Sequence, residues 1–402
     1  MSASPTSEVA GGGSLTPVVI GVSTTVVCTL PLLLAGALAV QMRAELGFSV
    51  AELGLAAALF RATGALFGAP LGLLVDRIGP SWSMRAAVAV SALTSLGIGL
   101  VARDILVVTV FLMIGGIANP LGQSAANALL SRSVDANRQG LAFGLKQSAL
   151  PLGSLIAGVS VPAIGLTIGW RWAFGIAAVL GLWLLVRIPS SEAPAFRTRT
   201  APEDGEGTPR LPLLLLALGL MASMMAGSTL TTFTVDSAVT SGVTPAAAGL
   251  LLTVGSIVSI VLRMWFGSRA DRQSGGHFRT VAMMVGVGSV GYLLIGVGGP
   301  VITTVGVVIA FGLGWGFNGL FWYALLRLNR RTPGRVTGLV MPGGMFGGFL
   351  GPLLFGWVVE WSGYAAAWTM AAVWSLCGAG IILIASRMIG AQRVAAGLDG
   401  DV

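Results

Sequence analysis

Long apolar segments recur along the whole chain, and short polar segments separate them. A helix of roughly 20 residues spans the hydrocarbon core of a bilayer, where lipid offers the backbone no hydrogen-bond partner. The pattern therefore predicts an all-α membrane protein with twelve transmembrane helices. The predicted spans, numbered 1 to 12, cover residues 16–40, 50–75, 84–102, 105–130, 140–163, 172–188, 211–235, 245–266, 280–298, 301–326, 336–359 and 366–388.

One polar interval is much longer than the others, and it falls between spans 6 and 7. It is rich in proline and charge, as flexible linkers are. We expect a linker at residues 189–210 that joins an N-terminal six-helix half (16–188) to a C-terminal one (211–388). The remaining residues, 1–15 and 389–402, are expected to be tails.

Composition supports a membrane protein, because 55% of the residues are hydrophobic and 9% are charged. With both termini in the cytoplasm, the loops and helix ends on that side hold 17 of the 23 basic residues. The opposite side holds Arg43, Arg103 and Arg171. The positive-inside rule therefore predicts two cytoplasmic termini. Topology also explains the net charge of +8, so no nucleic-acid partner is expected.

The two halves contain similar segments at a constant offset of 195 residues. The stretch GFSVAELGL at 47–55 aligns with GVTPAAAGL at 242–250, which predicts Ser49 and Thr244 as the N-caps of spans 2 and 8. Glu52 completes a capping box in the first copy. The repeat indicates an internal duplication of a six-helix unit.

The same offset aligns GLLVDR, which begins at Gly72, with GSRADR, which begins at Gly267. The GxxxDRxG pattern at 72–79, repeated in weaker form in the second half, resembles the signature of the major facilitator superfamily. That resemblance implies two six-helix repeats that rock around a central site. It also implies conformational gating by charged residues at the ends of spans 2 and 8. These residues are Asp76, Arg77, Asp271 and Arg272.

Three basic residues lie inside predicted spans, where a charge is costly unless it faces water or a partner. They are Arg61, Lys146 (the only lysine) and Arg263. No acid lies in the middle of a span. Lys146 and Arg263 each lie eight residues from a charged cytoplasmic end, about 12 Å at ~1.5 Å per residue. Spans 5 and 8 are neighbours in the resembled fold, so these two cations would share a space that favours an anion. The alternative is that each pairs with a helix carbonyl or extends to the surface.

The segment RMWFGSRAD, which begins at Arg263, is similar to the span 8 pattern of monocarboxylate and oxalate/formate porters, whose arginine binds a carboxylate. Arg61 on span 2 is instead similar to the substrate arginine of nitrate porters. Further polar or aromatic candidates lie on spans expected to line the cavity. The predicted substrate-binding set is Arg61, Asn119, Gln123, Lys146, Gln147, Arg263, Asn318 and Trp322.

Two helices carry residues that predict local irregularity. Pro151 should kink span 5 and free the carbonyl of Gln147. The stretch PGGMFGGFLGP at 342–352 makes span 11 pliable or closely packed. His277, the only histidine, is expected in a solvated loop.

These features predict a secondary transporter for a small organic anion, monocarboxylate-like, in the cell membrane (plasma or inner). An inorganic-anion porter of the nitrate or cyanate type is the alternative, followed by a drug efflux pump, for which an embedded acid is missing. A membrane enzyme is not expected, because the predicted spans contain no catalytic cluster. A sensory receptor is a further possibility. We expect a monomer in a lipid bilayer, with protons or a counter-anion as candidate coupling partners and no cofactor or metal.

Overall fold

The computed structural model describes residues 15–134, 145–189, 208–272, 275–328 and 333–395, and all regular elements within these ranges are helices. We number the helices α1 to α12 in the order of the predicted spans. Their bounds are α1 Leu15–Ala37 with Ala39–Leu46, α2 Val50–Ile78, α3 Pro80–Val101, α4 Ile105–Ser133, α5 Leu145–Gly165, α6 Trp170–Arg187, α7 Arg210–Thr240, α8 Pro245–Arg272, α9 His277–Val297 and α10 Pro300–Leu328. Helices α11 and α12 together cover Pro333–Ala395 and are separated at Gly363, whose backbone is not helical (φ 78°, ψ 174°).

Helix α2 begins with the predicted capping box. The Glu52 backbone N–H donates to Ser49 Oγ at 3.2 Å, and the Ser49 N–H donates to Glu52 Oε2 at 2.7 Å. In the second copy, the Ala247 N–H donates to Thr244 Oγ1 at 3.4 Å. Both predicted helix starts are therefore confirmed.

The turns that follow α2 and α8 differ, because their left-handed glycines fall at different places. Gly79 has φ 84° directly after α2, a region that favours glycine because it has no Cβ. The offset of 195 would place its counterpart at Ser274, whereas the structure has a left-handed Gly276 (φ 76°) before α9. The left-handed glycine of the second copy therefore lies two residues later than the repeat offset predicts.

The two halves, α1–α6 and α7–α12, pack along three helix pairs: α1 with α7, α2 with α11, and α5 with α8. These pairs are tight on the side of the bundle away from the termini. A β-carbon at Gly36 would lie 2.7 Å from the Thr231 carbonyl oxygen, and one at Gly158 would lie 2.6 Å from the Gly249 carbonyl oxygen. Glycine is needed at these positions because the backbones of the two halves touch.

The halves separate toward the side of the termini. A β-carbon at Gly72 of α2, Gly267 of α8 or Gly338 of α11 would meet no atom within 4 Å. The tight contacts between the halves thus lie on the side away from the termini, which we call the closed side, and we call the terminal side the open side.

Helix α11 packs against α7 through a stripe of glycines at four-residue spacing, Gly343, Gly347 and Gly351. A β-carbon at each of them would collide with a backbone carbonyl oxygen of α7, from Ala217, Met221 and Met225 respectively. The glycine-rich segment predicted from the sequence thus brings two backbones into direct contact, as small residues do in membrane helix pairs.

Candidate functional site

Lys146 lies at the start of α5 and is 3% exposed. Its Nζ donates to Gln123 Oε1 at 2.8 Å, Gln123 Nε2 donates to Asn119 Oδ1 at 3.3 Å, and Asn119 Nδ2 donates to the Cys28 carbonyl at 3.4 Å. An ammonium only donates, so it fixes the orientation of both amides. This polar chain links α5, α4 and α1, and it occupies one of the three N–H donors of Lys146 without neutralising its charge.

Arg263 of α8 bridges the two halves through backbone carbonyls. Its Nη1 donates to the Gln147 carbonyl at 3.3 Å, and its Nη2 donates to the Trp315 carbonyl at 2.8 Å. Its guanidinium also lies 5.2 Å from the centroid of the Trp315 ring. Arg263 Nε is buried and has no partner among the described residues.

Both of these acceptor carbonyls lie at irregular places in their helices. The Gln147 carbonyl lacks its usual helical donor because Pro151, four residues later, has no N–H. Trp315 lies where α10 is interrupted, after the π-helical turn Ala310–Gly314 and before the helix resumes at Asn318. Helix irregularity therefore supplies the oxygens that hold Arg263 at the boundary between the halves.

Arg263 donates to the backbone carbonyl of Gln147, the residue next to Lys146, so two cationic residues lie where α5 packs on α8. Their side chains have different partners, because Lys146 Nζ donates to Gln123 of α4. No carboxylate of the described residues forms an ion pair with either cation. The neutral oxygens around them leave the local charge at about two positive units. Such a cluster of donors can bind an anion.

Arg61 lies apart from this pair, at the boundary between α2 and α11. A β-carbon at Gly348 would lie 3.4 Å from Arg61 Cδ and 3.7 Å from its Nη1. Within the described part of the chain, the Arg61 guanidinium forms no hydrogen bond or ion pair, and its Nε is buried without a partner. The structure thus places Arg61 between the halves without joining it to Lys146 or Arg263.

The α10 candidates occupy different surroundings. Asn318 Nδ2 lies 3.4 Å from Met224 Sδ, and Asn318 Oδ1 is buried without a partner among the described residues. The Trp322 ring packs edge-on against Phe321, with 5.8 Å between centroids. Trp322 is therefore held by packing in the C-terminal half. Trp315, which sequence reasoning missed, contacts Arg263 because the interruption of α10 changes the helical register.

The predicted gating residues lie at the open side of the bundle. Asp76, Arg77 and Arg272 are exposed, and the side chain of Asp271 lies outside the described residues. No ion pair involves Asp76 or Arg77 within the described ranges. Their gating role remains a prediction that concerns the state in which this side is closed.

The closed side contains an ion pair between the halves that was not predicted from the sequence. Arg43 of α1 donates to both carboxylate oxygens of Asp236 on α7, at 3.0 and 2.9 Å. The Tyr364 hydroxyl of α12 also donates to Asp236, which is 3% exposed. The sequence contained one sign of this ion pair, because the repeat offset aligns position 43 with position 238, two residues from Asp236.

A second ion pair lies on the same side but within the N-terminal half. Arg171 Nη2 donates to Glu45 Oε1 at 2.8 Å, and Trp170 Nε1 donates to Glu45 Oε2 at 2.6 Å. The hydrogen bond from Arg171 lowers the pKa of Glu45 below its ordinary value.

His277 is buried, contrary to the expectation of a solvated loop residue. Its Nε2 lies 3.2 Å from Arg327 Nη1, and Arg327 also donates to the Tyr323 hydroxyl at 3.0 Å. His277 therefore belongs to a polar contact between α9 and α10 because it begins a helix that packs on its neighbour.

Comparison with known proteins gives a consistent family. The model of the Major Facilitator Superfamily matches residues 19–349. The hexuronate transporter of Bacillus subtilis (strain 168) is 24% identical over 79% of this chain and 82% of its own length. An uncharacterised MFS-type transporter of Mycobacterium tuberculosis is also 24% identical, over 79% of this chain and 73% of its own length.

Solved structures show the same fold. A bacterial homologue of the human lysosomal transporter Spinster, in an inward-facing and occupied conformation, superposes with a TM-score of 0.71 at 15% identity. The match covers 93% of this chain and 96% of the homologue. The unoccupied inward-facing structure of a bacterial Spinster homologue gives a TM-score of 0.65 with the same coverage.

Proposed function

The chain belongs to the Major Facilitator Superfamily, and on that premise we propose that it is a secondary transporter of a small organic anion, monocarboxylate-like in its simplest form. The observation that carries this proposal is the hydrogen bond from Arg263 to the Gln147 carbonyl, next to Lys146, with no described carboxylate paired with either cation. Two cations at reduced dielectric repel each other, and an anion between them removes that cost.

Each cation keeps donors for the substrate. The Lys146 ammonium has three N–H groups and gives one to Gln123, while Arg263 Nε has no partner. A carboxylate that binds both residues would displace the Gln147 carbonyl from Arg263. A guanidinium holds a carboxylate through two parallel hydrogen bonds, so Arg263 is assigned the larger share of the affinity.

The conformational cycle follows from the packing between the halves. If the termini are cytoplasmic, the described state is open to the cytoplasm and closed outside by the contacts of α1 with α7. Transport then requires the Arg43–Asp236 pair to separate as the outer side opens. The charged residues at the inner ends of α2 and α8 would come together in the same step.

The relatives support the choice of substrate class in part. One of them is named for hexuronate, an organic anion, although its identity to this chain is 24%. A nitrate- or cyanate-type porter is the second candidate, and the observation that favours it is the unpaired Arg61 on α2. A drug efflux pump is less supported, because the buried acid Asp236 is already paired with Arg43.

Uptake into proteoliposomes separates these candidates. The panel comprises labelled acetate, pyruvate, lactate and succinate, with nitrate and the cation ethidium as comparisons. We expect saturable uptake of at least one carboxylate, and Arg263→Gln should weaken its affinity about 10- to 150-fold through loss of a charge-assisted contact worth ~1.5 to 3 kcal/mol. Arg103→Gln, an exposed arginine outside the site, is the matched control and should leave uptake unchanged. Saturable uptake of ethidium or nitrate with none of the carboxylates would contradict the proposal.

A further inference from the structure

We propose that the preferred substrate carries two acidic groups, as in a small dicarboxylate, and that Arg61 binds the second group. This inference rests on the proposed function, because it assumes that one carboxylate occupies the place between Lys146 and Arg263. It adds a separate subsite on α2 and names the substrate class more closely.

The positive charges at the centre of the molecule favour a substrate with a second acidic group. Arg61 and Arg263 lie at the boundary between the halves, Lys146 is buried at the start of α5, and no described carboxylate pairs with any of them. A monocarboxylate at Lys146 and Arg263 would leave Arg61 uncompensated within the membrane-spanning bundle, where an unpaired charge is costly. A substrate with a second acidic group compensates all three cations more fully.

The hydrogen-bond donors of Arg61 have no acceptor in the described part of the protein, unlike those of the other two cations. Lys146 and Arg263 donate to protein oxygens in the described state, so the protein already accepts some of their hydrogen bonds. Arg61 has no such acceptor, and its buried Nε is left without a partner among the described residues. Arg43 and Arg263 also have an unpartnered Nε but donate through their Nη atoms, whereas no guanidinium nitrogen of Arg61 has a partner among the described residues, so an acidic group of a ligand would supply its acceptors.

Arg61 lies too far from Arg263 for one small group to bind both. Arg61 lies where α2 meets α11, whereas Arg263 lies where α5 meets α8, and the pair α1–α7 packs beside both boundaries. Arg61 is the twelfth residue of α2 and Arg263 the nineteenth of α8, and both helices run toward the terminal side. Seven residues correspond to a difference in depth of about 10 Å. One small anionic group cannot contact both guanidinium groups fully, but a molecule with acidic groups at its two ends can.

The surroundings of Arg61 leave room for such a group. Gly348 presents no side chain to it, and Arg61 itself is only partly buried. Nearer the open side, Gly68 of α2 faces the flexible end of Met345, whose Cε would lie 3.6 Å from a β-carbon at Gly68. A methionine end can move aside at little cost, so the subsite is reachable from the open side.

Calorimetry on the purified full-length protein tests the inference with two matched series. Malonate, succinate, glutarate and adipate are compared with propionate, butyrate, valerate and caproate, which have the same numbers of carbon atoms. We expect one dicarboxylate to bind at least about tenfold more tightly than its matched monocarboxylate. Arg61→Gln should abolish that preference by weakening the dicarboxylate far more than its matched monocarboxylate, while Arg61→Lys should retain part of the preference because the charge remains.

Two further variants define the specificity of the effect. Arg263→Gln should weaken both series, and Arg103→Gln should weaken neither. Equal affinity for matched acids in the wild type, or an equal loss of both series in Arg61→Gln, would overturn the inference and leave the proposed function standing. Nitrate binding that depends equally on Arg61 and Arg263 would overturn it too, since both would then hold one small anion.

Binding of no carboxylate would overturn the proposed function as well. The wild-type comparison decides the matter even if Arg61→Gln does not fold.

Discussion

At the scale of single residues, the central cations are held by neutral oxygens. Gln123 accepts from Lys146, and two backbone carbonyls accept from Arg263. Neutral acceptors satisfy the geometry of a cation but leave its charge available to a ligand. The surrounding groups can therefore order the site before substrate arrives and still leave it attractive to an anion.

A residue-scale prediction concerns the pH dependence of stability at Glu45. Its pKa is lowered by Arg171, so its contribution to stability is present above the ordinary pKa of a glutamate and is lost as pH falls through the lowered value. We expect Glu45→Gln to melt at a modestly lower temperature than wild type at pH 7, with the difference shrinking below about pH 4. Asp76→Asn, which removes an exposed carboxylate that forms no ion pair among the described residues, is the control. A pH-independent difference would contradict this account.

The central residues show how far sequence reasoning extends. Counting from charged loops placed Lys146 and Arg263 at one depth, because an α-helix advances by a constant rise. The free carbonyl of Gln147 also followed from Pro151. Trp315 did not, since a π-helical turn shifts the register of α10 and no local signal in the sequence marks that turn. The roles of these residues in binding remain predictions.

At the scale of helices, α11 and α7 pack with their backbones in direct contact. The glycine stripe of α11 lies against backbone carbonyls of α7, so its spacing reflects packing that the sequence alone could not distinguish from flexibility. The helix starts at Ser49 and Thr244 were predictable because their capping signals are local. The packing partner of α11 was not, because it depends on tertiary structure.

This contact predicts a contrast between two glycines of the same helix. A β-carbon at Gly347 would collide with the Met221 carbonyl oxygen, whereas one at Gly338 would meet nothing within 4 Å. Gly347→Ala should destabilise the purified protein by ~1 to 3 kcal/mol, as overpacking does. Gly338→Ala should be neutral or stabilising by up to ~1 kcal/mol, because alanine favours helix. Thermal melting in detergent measures both, and equal melting temperatures would contradict the assigned contact.

At the scale of the whole molecule, the two halves touch on one side and separate on the other. The Arg43–Asp236 pair and the Tyr364 hydroxyl join α1, α7 and α12 on the closed side. The repeat predicted two similar halves, but a duplicated sequence is compatible with either side being open. The conformational state therefore came from the structure.

We predict that Asp236→Asn shifts the population toward the state that is open on this side by about tenfold, or ~1.4 kcal/mol, because it removes the charge that Arg43 binds. Spin labels at positions 46 and 241, in protein lacking Cys28 and Cys377, would report the separation of α1 and α7. Glu45→Gln breaks an ion pair within one half and should leave the distance distribution unchanged. The same change in the distance distribution of both variants would show that it reflects a general loss of stability and not the loss of the Arg43–Asp236 ion pair.

The central claim is that Lys146 and Arg263 bind one anionic group together, and a calorimetric double-mutant cycle tests it most directly. The ligand is the carboxylate with the highest affinity in the uptake panel, and the variants are Lys146→Gln, Arg263→Gln and the double variant. We expect Arg263→Gln to lose about 10- to 150-fold in affinity and Lys146→Gln to lose less, because an ammonium lacks the bidentate geometry of a guanidinium. The double variant should lose less than the product of the two, because both cations contact the same group. Unchanged affinity in both single variants, or losses that multiply fully, would show that the two cations do not share an anion.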